Sequence, residues 1–340
     1  MLFTTLPLSQ VLLVYGTVAV AIILTICRLV QYMRIKQRDS DYARILGIGL
    51  KKTTLQDWIE IDDTYMQRYQ QKSKLFETKR EDVFRATADA WEPAVESLHL
   101  LRDLLIRRYP HMFRLRDGKN TIENLVTGDS FDLSPSALRA QGRHPLEIMG
   151  LLATEDFFVL TTDAEGQTSL RGGAVCFPAG WKIEERVGLS LWQIHAGKVP
   201  QYEEKLAKSM DRFFVKLKAG EPIARFNYAI DDSEALFRRH GHHNLTPEQL
   251  GKAIALTDLH LRVERQVLQR LPKTGALLFT IRTYVTPLTQ VTKDKEITRA
   301  LRTTIDSYDE TMSSYKNKQL WNSIFQKHVA EVLGETTETH

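Results

Sequence analysis

Between Leu259 and Val267 the chain alternates apolar and polar residues, and this restricts the possible folds more than any other feature. Leu259, Leu261, Val263 and Val267 interleave with His260, Arg262, Glu264 and Gln266, and Arg265 is the one charge on the apolar side. A period of two puts the two sets on opposite faces of a strand. Leu277 to Val285 is its hairpin mate across the connection LQRLPKTG. Phe157 to Thr162 and Ser169 to Phe177, rich in β-branched and aromatic residues, flank the turn Ala164-Glu165-Gly166 as a second hairpin, and Ala224 to Ile230 is a further short strand. About five strands with a helical section between them predict an α+β domain, an antiparallel sheet with helices on one side.

The helical segments are read from spacings of three and four. They are Trp58 to Tyr69, then Arg85 to Tyr109 with Trp91, Val95, Leu98, Leu101 and Leu105 on one face, and Pro110 ends the latter. Trp181 to Lys218 is expected to be helical, with Tyr202, Leu206, Met210, Phe213 and Leu217 sharing a face; Ile297 to Asp306 and Leu320 to Leu333 follow. Gly118 to Gly142 is turn-rich and read as a surface excursion.

At the other end of the chain, Leu2 to Cys27 carries no charge, and Val11 to Ile26 is almost wholly apolar. With Leu29 and Val30 the run reaches the ~20 residues that cross a bilayer. A cleaved signal peptide is the alternative, but it needs a basic residue before its core. Here none precedes the run, and Arg28, Arg34, Lys36 and Arg38 follow it. The same asymmetry predicts a single-pass anchor with the N-terminus outside and the body cytosolic, by default at the endoplasmic reticulum. The expected organisation is an anchor over 1–34, a linker over 35–53, the main domain over 54–333 and a polar, disordered tail over 334–340. A net charge of +4 and a pI near 8.9, in part local to the anchor's flank, argue against a nucleic-acid surface. The two cysteines, Cys27 and Cys176, make no disulfide framework. No GxGxxG, P-loop or HExxH motif is present, and His240-Gly241-His242-His243 lacks a spaced second pair of ligands.

Two groups of residues carry candidate chemistry. The row His260, Arg262, Glu264 and Gln266 shares one strand face, which is either solvated or part of a pocket; Arg282 on the hairpin mate is expected to face the same row. The stretch Ala174 to Tyr202, AVCFPAGWKIEERVGLSLWQIHAGKVPQY, sets His195 among Leu189, Leu191, Trp192, Ile194 and Val199. An apolar setting of this kind suits either a satisfied core histidine or a neutral imidazole ligand.

The motifs in these stretches, Phe177-Pro178-x-x-Trp181, Ile194-His195 with Val199-Pro200-x-Tyr202, Arg225-x-Asn227-Tyr228, and LRVERQVLQRLPKTGALLFTIRTY from Leu261 to Tyr284, resemble in their order the haem-dependent oxidative N-demethylase family. That family includes the haem subunit of a bacterial dimethylamine monooxygenase. The resemblance covers roughly Trp58 to Leu288 and implies a PAS-like fold with an iron-porphyrin cofactor. Its departures are Gly197-Lys198, which reads as a local insertion, and Tyr228, where tryptophan is common. It implies His195 as the axial iron ligand, with His260 as competitor, and Lys182, Arg225, Arg262 and Arg282 as cations for the haem propionates. Glu264 is then the carboxylate for a protonated amine, and Gln266, Asn227 and Tyr228 bond polar groups or water beside it. The implied reaction takes a small amine and O₂, hydroxylates an N-methyl group and releases formaldehyde. No reductase module is recognisable in the chain, so electrons are expected from a separate NAD(P)H-dependent partner. A non-catalytic PAS-like haem sensor or carrier, and a membrane-tethered scaffold with a degenerate pocket, are the competing classes.

Overall fold

The alternating run and its hairpin mate pair as predicted. The computed structural model describes residues 50–116, 120–140, 142–197, 207–240 and 254–335. Its strands are β1 (Lys51–Lys52), β2 (Phe84–Ala86), β3 (Phe113–Arg116), β4 (Thr121–Asn124), β5 (Ser130–Asp132), β6 (Asp156–Thr162), β7 (Thr168–Ala174), β8 (Ile223–Asp231), β9 (His260–Arg270) and β10 (Leu277–Pro287). Seven of them form one antiparallel sheet in the order β1-β8-β9-β10-β6-β7-β2. The longest ladder joins β9 to β10 from Arg270 opposite Leu277 to His260 opposite Pro287.

The principal helices are α1 (Tyr65–Thr78), α2 (Trp91–Arg108), α3 (Pro145–Leu152), α4 (Leu191–His195), α5 (Ala207–Lys216), α6 (Lys295–Asp306), α7 (Glu310–Tyr315) and α8 (Lys318–Leu333). Phe76, Leu98, Leu101, Leu105, Leu146 and Met149 of α1 to α3 share one core with Phe157, Val159, Val267 and Leu278 of the sheet. Full burial of each such side chain is worth about 1.5–3 kcal/mol. Gly150 lets α3 approach α1, because a Cβ there would lie 2.9 Å from Phe76 Cζ. A second apolar cluster covers the other face, where Leu191, Ile194, Phe214 and Leu217 from α4, α5 and the turn after it meet Phe158, Leu160, Leu268 and Leu277. The expectation of helices on one side is therefore corrected: strands β6, β9 and β10 present apolar residues in both directions and need cover on both.

Buried polar residues hold the connections. Glu96 of α2 accepts from the Lys273 and Thr274 amides at 2.7 and 2.8 Å and from Thr274 Oγ1 at 2.6 Å, fixing the β9–β10 turn. Asp156 accepts from the Cys176 and Phe177 amides, both at 2.9 Å, with Lys72 Nζ 3.5 Å away. Burial raises the Asp156 pKa, and Lys72 opposes that rise.

Three further local expectations change. Trp58 to Thr64 is an irregular strap ahead of α1 rather than the start of a helix. Trp58 Nε1 donates to Thr280 Oγ1 at 3.2 Å, and Arg265 Nη1 donates to the Trp58 carbonyl at 3.0 Å while its Nε lies 3.2 Å from Glu60. The odd charge on the apolar face of β9 thus ties this strap down. Residues 120–140, read as a surface excursion, contribute β4 and β5 to a small sheet with β3 and bury Ile122 and Phe131. The helical stretch Trp181 to Lys218 is broken into shorter pieces, of which Met210, Phe213 and Leu217 do share the predicted face. The apolar run and anchor over 1–34, the linker up to residue 49, Tyr202 and Leu206, residues 241–243 and the tail from 336 lie outside the described residues. Among those described, no helix is long and apolar enough to cross a membrane.

Candidate functional site

On the face of β9 turned away from α1 to α3, side-chain character changes in steps: Leu268, then Gln266, Glu264, Arg262 and His260. The ladder places Ile223, Arg225 and Asn227 of β8 beside the first three, and Phe279, Ile281 and Thr283 of β10 on their other side. The apolar end runs on through Phe158, whose ring centroid is 5.5 Å from Phe279 and 5.9 Å from Trp181, to Arg186, 4.9 Å above the Trp181 ring.

Glu264 is the centre of a hydrogen-bonded chain. Its Oε2 accepts from Gln266 Nε2 at 2.9 Å and from Asn227 Nδ2 at 3.2 Å, while Oε1 accepts no hydrogen bond among the described residues. Behind each amide stands a cation. Arg225 Nε donates to Gln266 Oε1 at 2.7 Å, and Lys316 Nζ donates to Asn227 Oδ1 at 3.1 Å and to the Tyr228 carbonyl at 2.8 Å. Burial lowers the Lys316 pKa to about 8, with Arg225 adding to the effect and Glu264 opposing it. Burial likewise lowers Arg225, against the attraction of Glu264 and Tyr315. Thr283, opposite Glu264 on β10 and 3% exposed, has no partner for Oγ1 among the described residues.

The remaining candidates fall into different environments. Arg262 is clamped by its surroundings: Nη2 donates to the Phe177 carbonyl at 2.8 Å and the Leu236 carbonyl at 3.2 Å, and Nη1 to the Ala235 carbonyl at 3.2 Å. It locks two loops together. Arg282 is not in the row. The register sets it opposite Arg265, on the other face, where Nη2 donates to Asp62 at 2.9 Å and Thr64 at 3.2 Å. Burial works against the Asp62 carboxylate, but the Arg282 guanidinium and the Thr64 hydrogen bonds hold it below its ordinary pKa. Tyr228 also departs from the expectation. Successive residues of a strand point to opposite faces, so it is turned away from Asn227 and Glu264, buried beside Tyr308. Lys182 is part-exposed and pairs with Glu185 at 2.9 Å.

His195 ends α4, next to Leu191 and Ile194 of the cluster on the Glu264 face, and its Nδ1 is 2.8 Å from the Leu191 carbonyl. A carbonyl only accepts, so that bond places a ring proton on Nδ1, the tautomer whose lone pair is on Nε2. His260 makes the equivalent bond to the Asp258 carbonyl at 2.8 Å and lies at the far, polar end of the row. Cys176 is fully buried, and burial pushes its thiol pKa far up, as befits a core residue. No group of three or more His, Cys, Asp or Glu side chains gathers around a common point among the described residues.

Lys316, Tyr315, Arg186 and Thr283 were not found by sequence reasoning. Lys316 and Tyr315 come from the junction of α7 and α8, where neither strand alternation nor helical periodicity marks a residue as facing a site. Thr283 was within reach, because it is the β10 residue that the hairpin register sets opposite Glu264.

A family model described as haem-dependent oxidative N-demethylase, alpha subunit-like, matches residues 49–325. The chain belongs to this family. The match takes in the whole sheet, the Glu264 chain and Lys316, and ends within α8.

The cofactor named in that description suits the residues present. A haem needs an axial nitrogen with a fixed tautomer, flat apolar walls and cations for its propionates. His195 with its Nδ1 bond, the Phe158, Trp181 and Phe279 rings and Arg225 provide these types on one face of the sheet, beside Thr283, whose hydroxyl has no partner among the described residues.

Proposed function

We propose that this member of the N-demethylase family is a haem-dependent monooxygenase that removes a methyl group from an amine. The observation that carries the reading is Glu264: one carboxylate oxygen held by two amides and the other open, on the face that also carries His195 and the aromatic walls. Haem, when bound, would supply the oxidation of the N-methyl carbon by O₂, and the resulting carbinolamine would decompose to formaldehyde and the smaller amine. His195 would hold the iron through Nε2. Arg225, whose Nε alone is engaged by Gln266, would direct its other N–H groups to a propionate. Glu264 Oε1 would accept the ammonium proton and take it up as the amine becomes reactive, while the apolar cluster keeps water from the site.

Several finer assignments belong to the same reading. The five long strands, numbered from β6, lie in the order 2-1-5-4-3, which supports a PAS-like ancestry for the sheet. The apolar run before residue 30 supports a single-pass anchor with the catalytic domain on the cytosolic side of the endoplasmic reticulum membrane. Electrons would come from a separate NAD(P)H-dependent reductase.

The test is the absorption spectrum of the full chain produced with haem supplied, beside His195→Ala, followed by formaldehyde detection with a panel of methylated amines. A Soret band lost or shifted in His195→Ala, with formaldehyde release that Glu264→Gln abolishes, is expected. A band unchanged in His195→Ala removes His195 as ligand and puts His260 forward. No band in either protein overturns the demethylase reading.

A further inference from the structure

The Glu264 chain contains two carboxamides, and a carboxamide can present either end. Its NH₂ stabilises a neighbouring carboxylate, whereas its carbonyl repels one. Something must therefore set the orientation of Asn227 and of Gln266. We infer that Lys316 and Arg225 are positioning residues that aim these two amides at Glu264. As a statement about catalysis this rests on the reading of Glu264 as the ammonium-holding carboxylate.

The chemistry leaves one arrangement. An ammonium and a guanidinium donate and cannot accept. Lys316 Nζ, 3.1 Å from Asn227 Oδ1, therefore selects the carbonyl end and turns the NH₂ toward Glu264. Arg225 Nε, 2.7 Å from Gln266 Oε1, does the same from the neighbouring position. Both relays end on the same oxygen, Oε2, so the carboxylate is fixed in rotation and Oε1 is the atom left for a substrate. Both cations also stop one amide short of Glu264. They leave Glu264 unoccupied, whereas a direct ion pair would take up its oxygens. Lys316 is itself held by the chain reversal after α7: Asn317 takes a left-handed conformation at φ 52°, and Trp321 Nε1 donates back to the Lys316 carbonyl at 3.3 Å. The relay is thus built from β8, β9 and the α7–α8 junction.

The experiment is a double-mutant cycle in urea unfolding of the full chain, pairing Lys316→Met with Glu264→Leu, performed once with Asn227 in place and once in an Asn227→Leu background. Direct attraction between Lys316 and Glu264 is present in both backgrounds, whereas the relay exists only in the first. The coupling is expected to be about fivefold larger, as an equilibrium constant, when Asn227 is present, the worth of one side-chain hydrogen bond. Lys316→Arg, which keeps a donor at the same place, is expected to retain that coupling. Equal coupling in the two backgrounds would overturn the inference. If Lys316→Met does not fold, Lys316→Ala takes its place in the cycle. Neither haem nor amine enters the measurement, so loss of the demethylase reading would leave this result standing, and the converse holds for the spectrum of His195→Ala.

Discussion

Arg262 offers a direct choice between two roles, propionate ligand and structural clamp. The perturbation is Arg262→Met, which keeps the length of the stem and removes the guanidinium. Three carbonyl oxygens, those of Phe177, Ala235 and Leu236, lose donors at 2.8 to 3.2 Å. A hydrogen bond from a charged donor is worth about 1.5–3 kcal/mol, so three amount to roughly 4.5–9 kcal/mol before compensation. Against this stands the desolvation of a guanidinium that is only 3% exposed, which burial disfavours enough to lower its pKa and which costs several kcal/mol. The net loss is expected to be about 3 kcal/mol, or roughly 5 °C in Tm for a domain of this size. The assay is urea unfolding of haem-free protein. Arg262→Lys should recover about a third of the loss, because one ammonium cannot reach two loops at once. If Arg262→Met unfolds within 0.5 kcal/mol of wild type (the surface-substitution range, ~0.5 kcal/mol) while haem affinity drops, the clamp is refuted and the propionate role stands.

Other outcomes follow from the same geometry. His144 caps α3 by accepting from the Leu146 amide at 3.2 Å, and burial lowers its pKa to about 4, with Glu147 opposing. The unfolded chain takes up the proton near pH 6.5 and the folded one only near pH 4, so stability should fall by about 3 kcal/mol as pH drops through that window. His144→Asn, which keeps a cap, should flatten this part of the pH profile; an unchanged slope would refute the assignment. Gly150→Ala should destabilise by about 1–3 kcal/mol in thermal unfolding, the clash with Phe76 outweighing the ~1 kcal/mol gained in helix propensity. A more stable variant would show that α1 can move aside.

The sheet was legible in the sequence because β9 alternates over most of its length, so both its existence and the composition of the Glu264 row could be read from residue type. Which face Arg282 occupies could not. A slip of one residue exchanges the faces of a strand, and the register depends on the geometry of the connection that Glu96 fixes from a distant helix. The motif Arg225-x-Asn227-Tyr228 does not bring Tyr228 to the Glu264 face, because neighbours on a strand diverge. The strap at Trp58 carries apolar residues at helical spacing, and its conformation is decided by Arg265, Thr280 and Tyr284, more than two hundred positions later. Lys316 left no local signal, since its place in the site is set by tertiary packing of α7 and α8 against the edge of β8.

The position of β10 also bears on how the chain is made. It lies between β9 and β6, and so joins the β6–β7 hairpin to the β8–β9 pair. A ribosome delivers these residues in order at about 5–20 per second. Until Leu277 to Pro287 have emerged, the two halves exist as separate hairpins, each with an open edge able to pair with another nascent chain. The strap at Trp58, already synthesised, has no surface on which to lie. Closure of the sheet therefore waits on a single late strand, and chains truncated before Leu277 should be clients of chaperones.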